Sequence, residues 1–264
     1  MNYQGIVIAV FVIGGIGIII SIFLSFFAQK FAVEVDKREE DILSALPQNN
    51  CGGCGYPGCA GLAAAINKGE APVTGCPVGG KPVADMIAQI MGVEAGEYIK
   101  KVAFVKCNGN CEAASDLYDY TGPKDCKSAV MAPGRGPKSC QYGCLGFGSC
   151  KNVCDSGAIS IVNGIAVVDE EKCTGCGKCV RTCPLKVIEL VPYDKKVRVA
   201  CSSKDKGPVT MKACKNGCVG CSMCVKTCEN EAVAVKDNLA CIDYDKCTAC
   251  GSCAQKCPKK IIFT

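Results

Sequence analysis

Twenty-six cysteines in a chain of 264 residues, nearly all of them in groups spaced two or three residues apart, constrain this sequence more than any other feature. A cysteine-rich short secreted chain would be read as a disulfide scaffold. Closely spaced thiolates instead converge on metal. The chain has no His, which removes general-base histidines, His-containing zinc sites and haem-ligating histidines, so the thiols must carry the chemistry. A chain of this length allows about two or three small domains, and domains that small usually need a staple such as a metal centre.

Cys173, Cys176, Cys179 and Cys183, followed by Pro184, have the C-x2-C-x2-C-x3-C-P spacing of bacterial 4Fe-4S ferredoxins. Cys247, Cys250, Cys253 and Cys257, followed by Pro258, repeat it 74 residues later. The same offset carries Cys140, Cys144, Cys150 and Cys154 onto Cys214, Cys218, Cys224 and Cys228. An internal duplication therefore covers about half the chain. Each copy has a Val/Ile-rich pair around a turn signal, Asn163-Gly164 in the first and Asp237-Asn238 in the second, which predicts a hairpin between cluster loops.

In a two-cluster ferredoxin the fourth cysteine of each run ligates the other cluster. That rule groups Cys140, Cys144 and Cys150 with Cys183, and Cys173, Cys176 and Cys179 with Cys154. In the second copy it groups Cys247, Cys250 and Cys253 with Cys228. The last site, completed by Cys257, is either Cys218, Cys221 and Cys224 or Cys214, Cys218 and Cys224. The first option matches the standard run, although the first copy has Phe147 and no thiol at the place of Cys221. Cys154 precedes Asp155 and Cys228 precedes Glu229, where the ferredoxin run has Pro; proline shapes that turn without supplying a ligand. A buried free thiol is the plainer reading for Cys201 and Cys241. Cys107, Cys111 and Cys126 offer three thiols toward a further metal, with no fourth ligand evident.

Upstream, Cys51, Cys54, Cys59 and Cys76 form a C-x2-C-x4-C-x16-C module with glycines crowding its first three ligands. Glycine permits the tight turns that converging thiolates need and lets backbone N–H groups reach cluster sulfur. A four-cysteine zinc site is the alternative, but zinc ribbons bring together two distant pairs. The Ala-rich stretch 60–67 predicts a short helix broken at Lys68-Gly69.

No charge occurs between Met1 and Gln29, and Ile6 to Phe27 is almost wholly apolar, long enough for one membrane-crossing helix. A signal peptide is the rival, against which stand the missing basic n-region and the length. Gly14, Gly17 and Ser21 offer a small-residue face for another helix. Lys30, Lys37 and Arg38 flank only the C-terminal end, so the positive-inside rule puts the remainder in the cytoplasm, where thiols stay reduced. A single uncharged span forms no ion path by itself.

The expected chain is α+β. It has a transmembrane anchor (residues 1–29), a charged stalk (30–48), a small 4Fe-4S module (49–100) and a cysteine-containing linker (101–134). Two tandem ferredoxin-like units of two clusters each follow, over 135–190 and 191–264. Formal charge is +5, and about five oxidised clusters at roughly −2 each would bring the total to about −5. Residues 134–264 hold 20 Lys plus Arg against 12 Asp plus Glu. That excess reads first as cluster counter-charge, and second as a docking face for an acidic partner. No G-x-G-x-x-G follows an expected strand and no phosphate loop is present, and nothing points to nucleic acid.

The order of anchor, C-x2-C-x4-C-x16-C module and ferredoxin runs resembles the RnfB family, the B subunits of the Rnf complexes, which are ion-translocating ferredoxin:NAD oxidoreductases. The resemblance covers essentially the whole chain, and the segment from Cys140 to Cys150 is most similar to clostridial members. It implies a single-pass protein of the cytoplasmic membrane that accepts electrons from soluble ferredoxin. Those electrons pass to membrane partners, toward NAD reduction coupled to Na+ or H+ export. A polyferredoxin of another membrane oxidoreductase, such as a hydrogenase or reductase, shares most of these features. A cluster-assembly or sensor protein would hold one labile, exposed cluster rather than paired ferredoxin runs.

Overall fold

The computed structural model describes residues 3–30 and 36–264, with side chains in the first helix at 3, 4 and 11–27. Helix α1 spans Tyr3–Lys30, 28 residues, or about 42 Å at the helical rise. Its described side chains from Phe11 to Phe27 are apolar or small and almost all exposed. The Ser21 hydroxyl donates back to the Gly17 carbonyl (2.8 Å). No helix among the described residues is long and apolar enough to cross a membrane. The described run of 17 side chains covers about 25 Å, short of a ~30 Å hydrocarbon core. The transmembrane anchor expected over 1–29 is thus not established by these residues. The stalk positions 31–35 lie outside the described residues.

The remainder of the expected stalk belongs to the next module. Asp36 caps α2 (Lys37–Ala45) by accepting from the Arg38 N–H (3.0 Å), and Asn67 Nδ2 donates to its other oxygen (3.0 Å). Ile42 of α2 is fully buried against Leu62 and Ile66 of α3 (Cys59–Asn67) and Ile87 of α4 (Gly80–Met91). Each such side chain contributes about 1.5–3 kcal/mol. Helix α3 stops where the sequence reading expects: Gly69 takes φ +74, and the Glu70 and Ala71 N–H groups both donate to the Ala65 carbonyl. That reversal brings Cys76 back toward the loop that carries Cys51, Cys54 and Cys59.

Two copies of one small α+β plan follow. In the first, β1 (Lys101–Val105) leads through α5 (Cys126–Val130) and α6 (Ser149–Asn152) to the hairpin of β2 (Ile159–Val162) and β3 (Ile165–Val168). Helix α7 (Lys178–Thr182) and β4 (Ile188–Pro192) complete it. The second copy runs β5 (Arg198–Val199), α8 (Gly207–Ala213), α9 (Met223–Thr227), the hairpin β6 (Val233–Lys236) with β7 (Leu239–Ile242), α10 (Ser252–Gln255) and β8 (Ile262–Phe263). Strands β1 and β4 pair antiparallel, as do β5 and β8. Residues 101–105, placed in a linker by the sequence reading, are therefore the opening strand of the first unit; Val102 and its partner Val191 are fully buried. Both hairpins turn at the expected pairs, with positive φ at Asn163 and Gly164 and at Asp237 and Asn238, the geometry of a type I′ turn.

Candidate metal centres

Four short helices repeat one device. Each begins just after a residue in the left-handed region (Gly148, Gly177, Ser222 or Gly251) and carries a buried cysteine in its first turns: Cys150, Cys179, Cys224 and Cys253. The left-handed residue turns the chain sharply from the cysteine loop into the helix, a conformation that glycine adopts without a Cβ penalty. The helices face each other in pairs, α6 with α7 and α9 with α10.

Around these helices the thiols gather in fours. In the second unit, Cys218, Cys221, Cys224 and Cys257 line one cavity, and Cys228, Cys247, Cys250 and Cys253 line another. Of the two sequence alternatives, it is Cys221 and not Cys214 that lies in the first of these. In the first unit, Cys179 is flanked by Cys173, Cys176 and Cys154. Its sister site differs from the expected set, because Cys144, Cys150 and Cys183 share their cavity with Cys126, not Cys140. Phe147 stands where the second copy has Cys221 and packs at a tilt against the Tyr120 ring (5.4 Å between centroids). The gap is filled from α5. The Asp125 carboxylate accepts from Ser149 Oγ (2.6 Å), which in turn accepts from the Cys126 N–H (2.8 Å), joining α5 to the start of α6. Nothing in the spacing around Cys126 signals this role; the missing thiol at Phe147 was the available clue.

Cys140 lines a separate cavity with Cys107, Cys201 and Cys214. Cys111 is exposed beside the first hairpin turn, and Cys241 lies on β7. In the N-terminal module, Cys76 is close to Cys51 and Cys59, and Cys54 and Cys59 pack on the same core. Asn50 Oδ1 accepts from the Cys59 N–H (2.8 Å) and abuts Gly58, whose φ of +93 and lack of Cβ make room for it.

The donor sets suit iron–sulfur cubes. Backbone N–H groups donate to sulfur from Gly53 to Cys51 (3.4 Å), Gly79 to Cys76 (3.3 Å), Ala103 to Cys173 (3.3 Å), Ala166 to Cys144 (3.4 Å) and Ala249 to Cys247 (3.4 Å). Such bonds stabilise negative sulfur and tune cluster potential. Burial, then the neighbouring Cys144 and Cys126 thiols, pushes Cys150 up to about 12. Burial first, with nearby thiols adding to it and backbone N–H bonds only partly opposing it, brings Cys140, Cys179, Cys201 and Cys224 each up to about 11. Crowded thiols of this kind ionise only when a cation draws them out, which is how metal loading couples to proton release. Among the described residues no three Cys, Asp or Glu side chains converge tightly enough for a single ion. A cube asks for a wider cage, since each thiolate binds a different iron.

The N-terminal module sits against the first unit. A Cβ added at Gly53 would lie 2.6 Å from the Cys176 carbonyl oxygen, and the Arg181 guanidinium donates to the Cys51 carbonyl (3.2 Å). The cysteine loops of two adjacent sites therefore touch backbone to backbone.

Comparison with known proteins finds iron–sulfur domains in the same parts of the chain. A family of Fe-S cluster domains matches residues 46–78, and the 4Fe-4S binding domain matches residues 166–189 and 240–263. The chain is 48% identical over 260 residues to the B subunit of the Na(+)-translocating ferredoxin:NAD(+) oxidoreductase complex of Acetobacterium woodii, covering 98% of this chain and 78% of that protein. It is 41% identical to the B subunit of the ion-translocating oxidoreductase complex of Methanosarcina acetivorans, over 95% of each chain. To the B subunit of the proton-translocating ferredoxin:NAD(+) oxidoreductase complex of Clostridium ljungdahlii it is 40% identical, over 92% of this chain and 87% of that one.

Proposed function

Because the chain belongs to the B-subunit family of ion-translocating ferredoxin:NAD oxidoreductase complexes, we propose that it is the iron–sulfur electron-transfer subunit of such a complex. In this reading it takes electrons from reduced ferredoxin and passes them to partner subunits, toward NAD reduction. The observation that carries the proposal is the succession of four-thiol sites from the N-terminal module to the last helix, two of them touching at Gly53 and Cys176.

Five 4Fe-4S groups would be held by Cys51, Cys54, Cys59 and Cys76; by Cys126, Cys144, Cys150 and Cys183; by Cys154, Cys173, Cys176 and Cys179; by Cys218, Cys221, Cys224 and Cys257; and by Cys228, Cys247, Cys250 and Cys253. A bound group of this type supplies one-electron exchange at low potential. The chain's own residues bury the thiols, donate N–H bonds to them and hold neighbouring loops in contact. The domain bounds follow the same division, with the first unit opening at residue 101.

Helix α1 is read as a single membrane pass. Its 28-residue length and exposed apolar side chains support this, and Lys30, Lys37 and Arg38 on its C-terminal flank place the clusters on the cytoplasmic side. Ion translocation would belong to partner subunits, since the described span carries no charge.

Anaerobic purification of the full chain in detergent tests the proposal. Iron and sulfide in equal amounts, with visible absorbance bleached by catalytically reduced ferredoxin, is the expected result. A colourless preparation, zinc in place of iron, or clusters that reduced ferredoxin leaves unchanged would refute it.

A further inference from the structure

We propose that Cys107, Cys140, Cys201 and Cys214 hold a sixth 4Fe-4S cluster at the seam between the two ferredoxin-like units, with two ligands from each unit. This rests on the reading of the chain as a cluster-bearing carrier and adds a site that neither the ferredoxin runs nor the matched domain segments contain.

The four thiols line one cavity, and glycine forms its walls at the sulfur atoms. A Cβ on Gly109 would lie 3.3 Å from Cys214 Sγ and 3.6 Å from Cys107 Sγ; one on Gly143 would lie 3.6 Å from Cys140 Sγ and 3.7 Å from Cys107 Sγ. Two of the thiols already receive ligand-like hydrogen bonds. Cys107 Sγ accepts from the N–H groups of Gly109 (3.4 Å) and Cys144 (3.2 Å), and Cys201 Sγ accepts from the Cys218 N–H (3.3 Å).

The duplication explains why two cysteines come from each side. Cys140 and Cys214 are related by the 74-residue offset. Cys107 and Cys201 are structural equivalents that this offset hides. Each follows the opening strand of its unit, next to a residue whose N–H donates to an equivalent carbonyl: Lys106 to Val187 and Ala200 to Ile261, both 2.7 Å. Each accepts from an equivalent N–H, Cys144 or Cys218. The linear register is lost because 32 residues separate Cys107 from Cys140 but only 12 separate Cys201 from Cys214. The site is thus one half-site used twice, with the halves facing each other.

The seam is tied around it. Asn216 Nδ2 donates to the Asn108 carbonyl (3.1 Å), Ser202 Oγ to the Tyr142 carbonyl (2.7 Å), the Lys215 N–H to the Ala113 carbonyl (2.8 Å) and the Ser115 N–H to the Ala213 carbonyl (3.2 Å). Lys138 lines the same cavity, is 6% exposed and donates to the Gly109 (2.8 Å) and Gly164 (3.0 Å) carbonyls. Among the described residues no carboxylate pairs with it. A buried cation without an anionic partner is costly, and a four-thiolate cluster is the anion that would offset it. The group would give the two units a common one-electron site, so that neither is an isolated pair of clusters.

The test compares the reconstituted full chain in detergent with a Cys201→Ser/Cys214→Ser variant and a Cys111→Ser/Cys241→Ser control. The proposal expects the first variant to lose about one sixth of its iron and sulfide and the control to lose none. A second variant, Cys214→Asp, keeps three thiolates and one weaker ligand; it is expected to show, in the oxidised protein, a new EPR signal from a cube that has shed one iron. Equal iron in parent and double variant, zinc lost in place of iron, or no new signal from Cys214→Asp overturns the sixth site. A parent devoid of iron sinks the carrier reading itself.

Discussion

Phe147 and Cys126 show how one residue's chemistry is replaced from elsewhere. Position 147 is where the ferredoxin run needs a thiol, and its second-copy equivalent, Cys221, shares a cavity with Cys218, Cys224 and Cys257. In the first copy the fourth thiol lining the matching cavity is Cys126 of α5, held by the Asp125–Ser149–Cys126 chain of hydrogen bonds, and it is the proposed ligand. Cys126→Ala is accordingly expected to cost the first unit one cluster, about four irons per chain by the cube's composition, while adding Phe147→Cys restores them. Iron analysis of the single and double variants checks this; retention of full iron by Cys126→Ala would mean that Cys140 ligates that site after all. The sequence reading missed Cys126 and assigned Cys140 in its place because spacing rules see only local runs. Cys126 reaches its site through a tertiary contact with Ser149, 23 residues away. The standard runs, by contrast, carry their geometry in their own glycines and short helices, so Cys173 to Cys183 and Cys247 to Cys257 were legible directly.

At the scale of elements the same division holds. Hairpins β2–β3 and β6–β7 were readable because alternation and turn chemistry are local. Strand β1 was not, because its partner β4 lies about ninety residues along and nothing near 101–105 announces the pairing. Helix α2 looked like a stalk because its charged residues dominate the composition, yet Ile42 and Leu46 seat it in the module core. How that module meets the first unit depends on one backbone contact. Gly53→Ala would drive a methyl group into the Cys176 carbonyl, and since the obstacle is backbone the module must shift; overpacking of this kind costs about 1–3 kcal/mol. Iron content is expected to stay unchanged, while protease cleavage in the connecting segment 93–100 rises about tenfold, as about 1.4 kcal/mol of weakened docking requires. Unchanged cleavage would show that the contact does not hold the two parts together.

Across the whole molecule, charge has to be counted with the clusters in place. The lysine surplus of residues 134–264 is divided in its uses. Lys138 is buried at the seam, Lys195 Nζ donates to the Cys247 carbonyl (2.8 Å), and Lys178 pairs with Asp155 (2.5 Å). These serve the cluster loops. Lys246, Lys256 and Lys260 are exposed in the second unit, which also presents Cys221 and Cys250 at the surface. A cluster with a surface ligand is where an electron enters most readily, and positive charge around it steers an acidic carrier to that edge. Converting these three lysines to Glu is therefore expected to leave iron content intact. It should slow reduction by ferredoxin at low salt by about tenfold or more, within the range that electrostatic steering contributes to association. The difference from the parent should shrink as ionic strength rises and the screening length falls below about 10 Å. Stopped-flow bleaching across a salt series separates this from a folding defect, because a structural loss would persist at every salt concentration. An unchanged low-salt rate would place ferredoxin elsewhere and return these lysines to the role of cluster counter-charge.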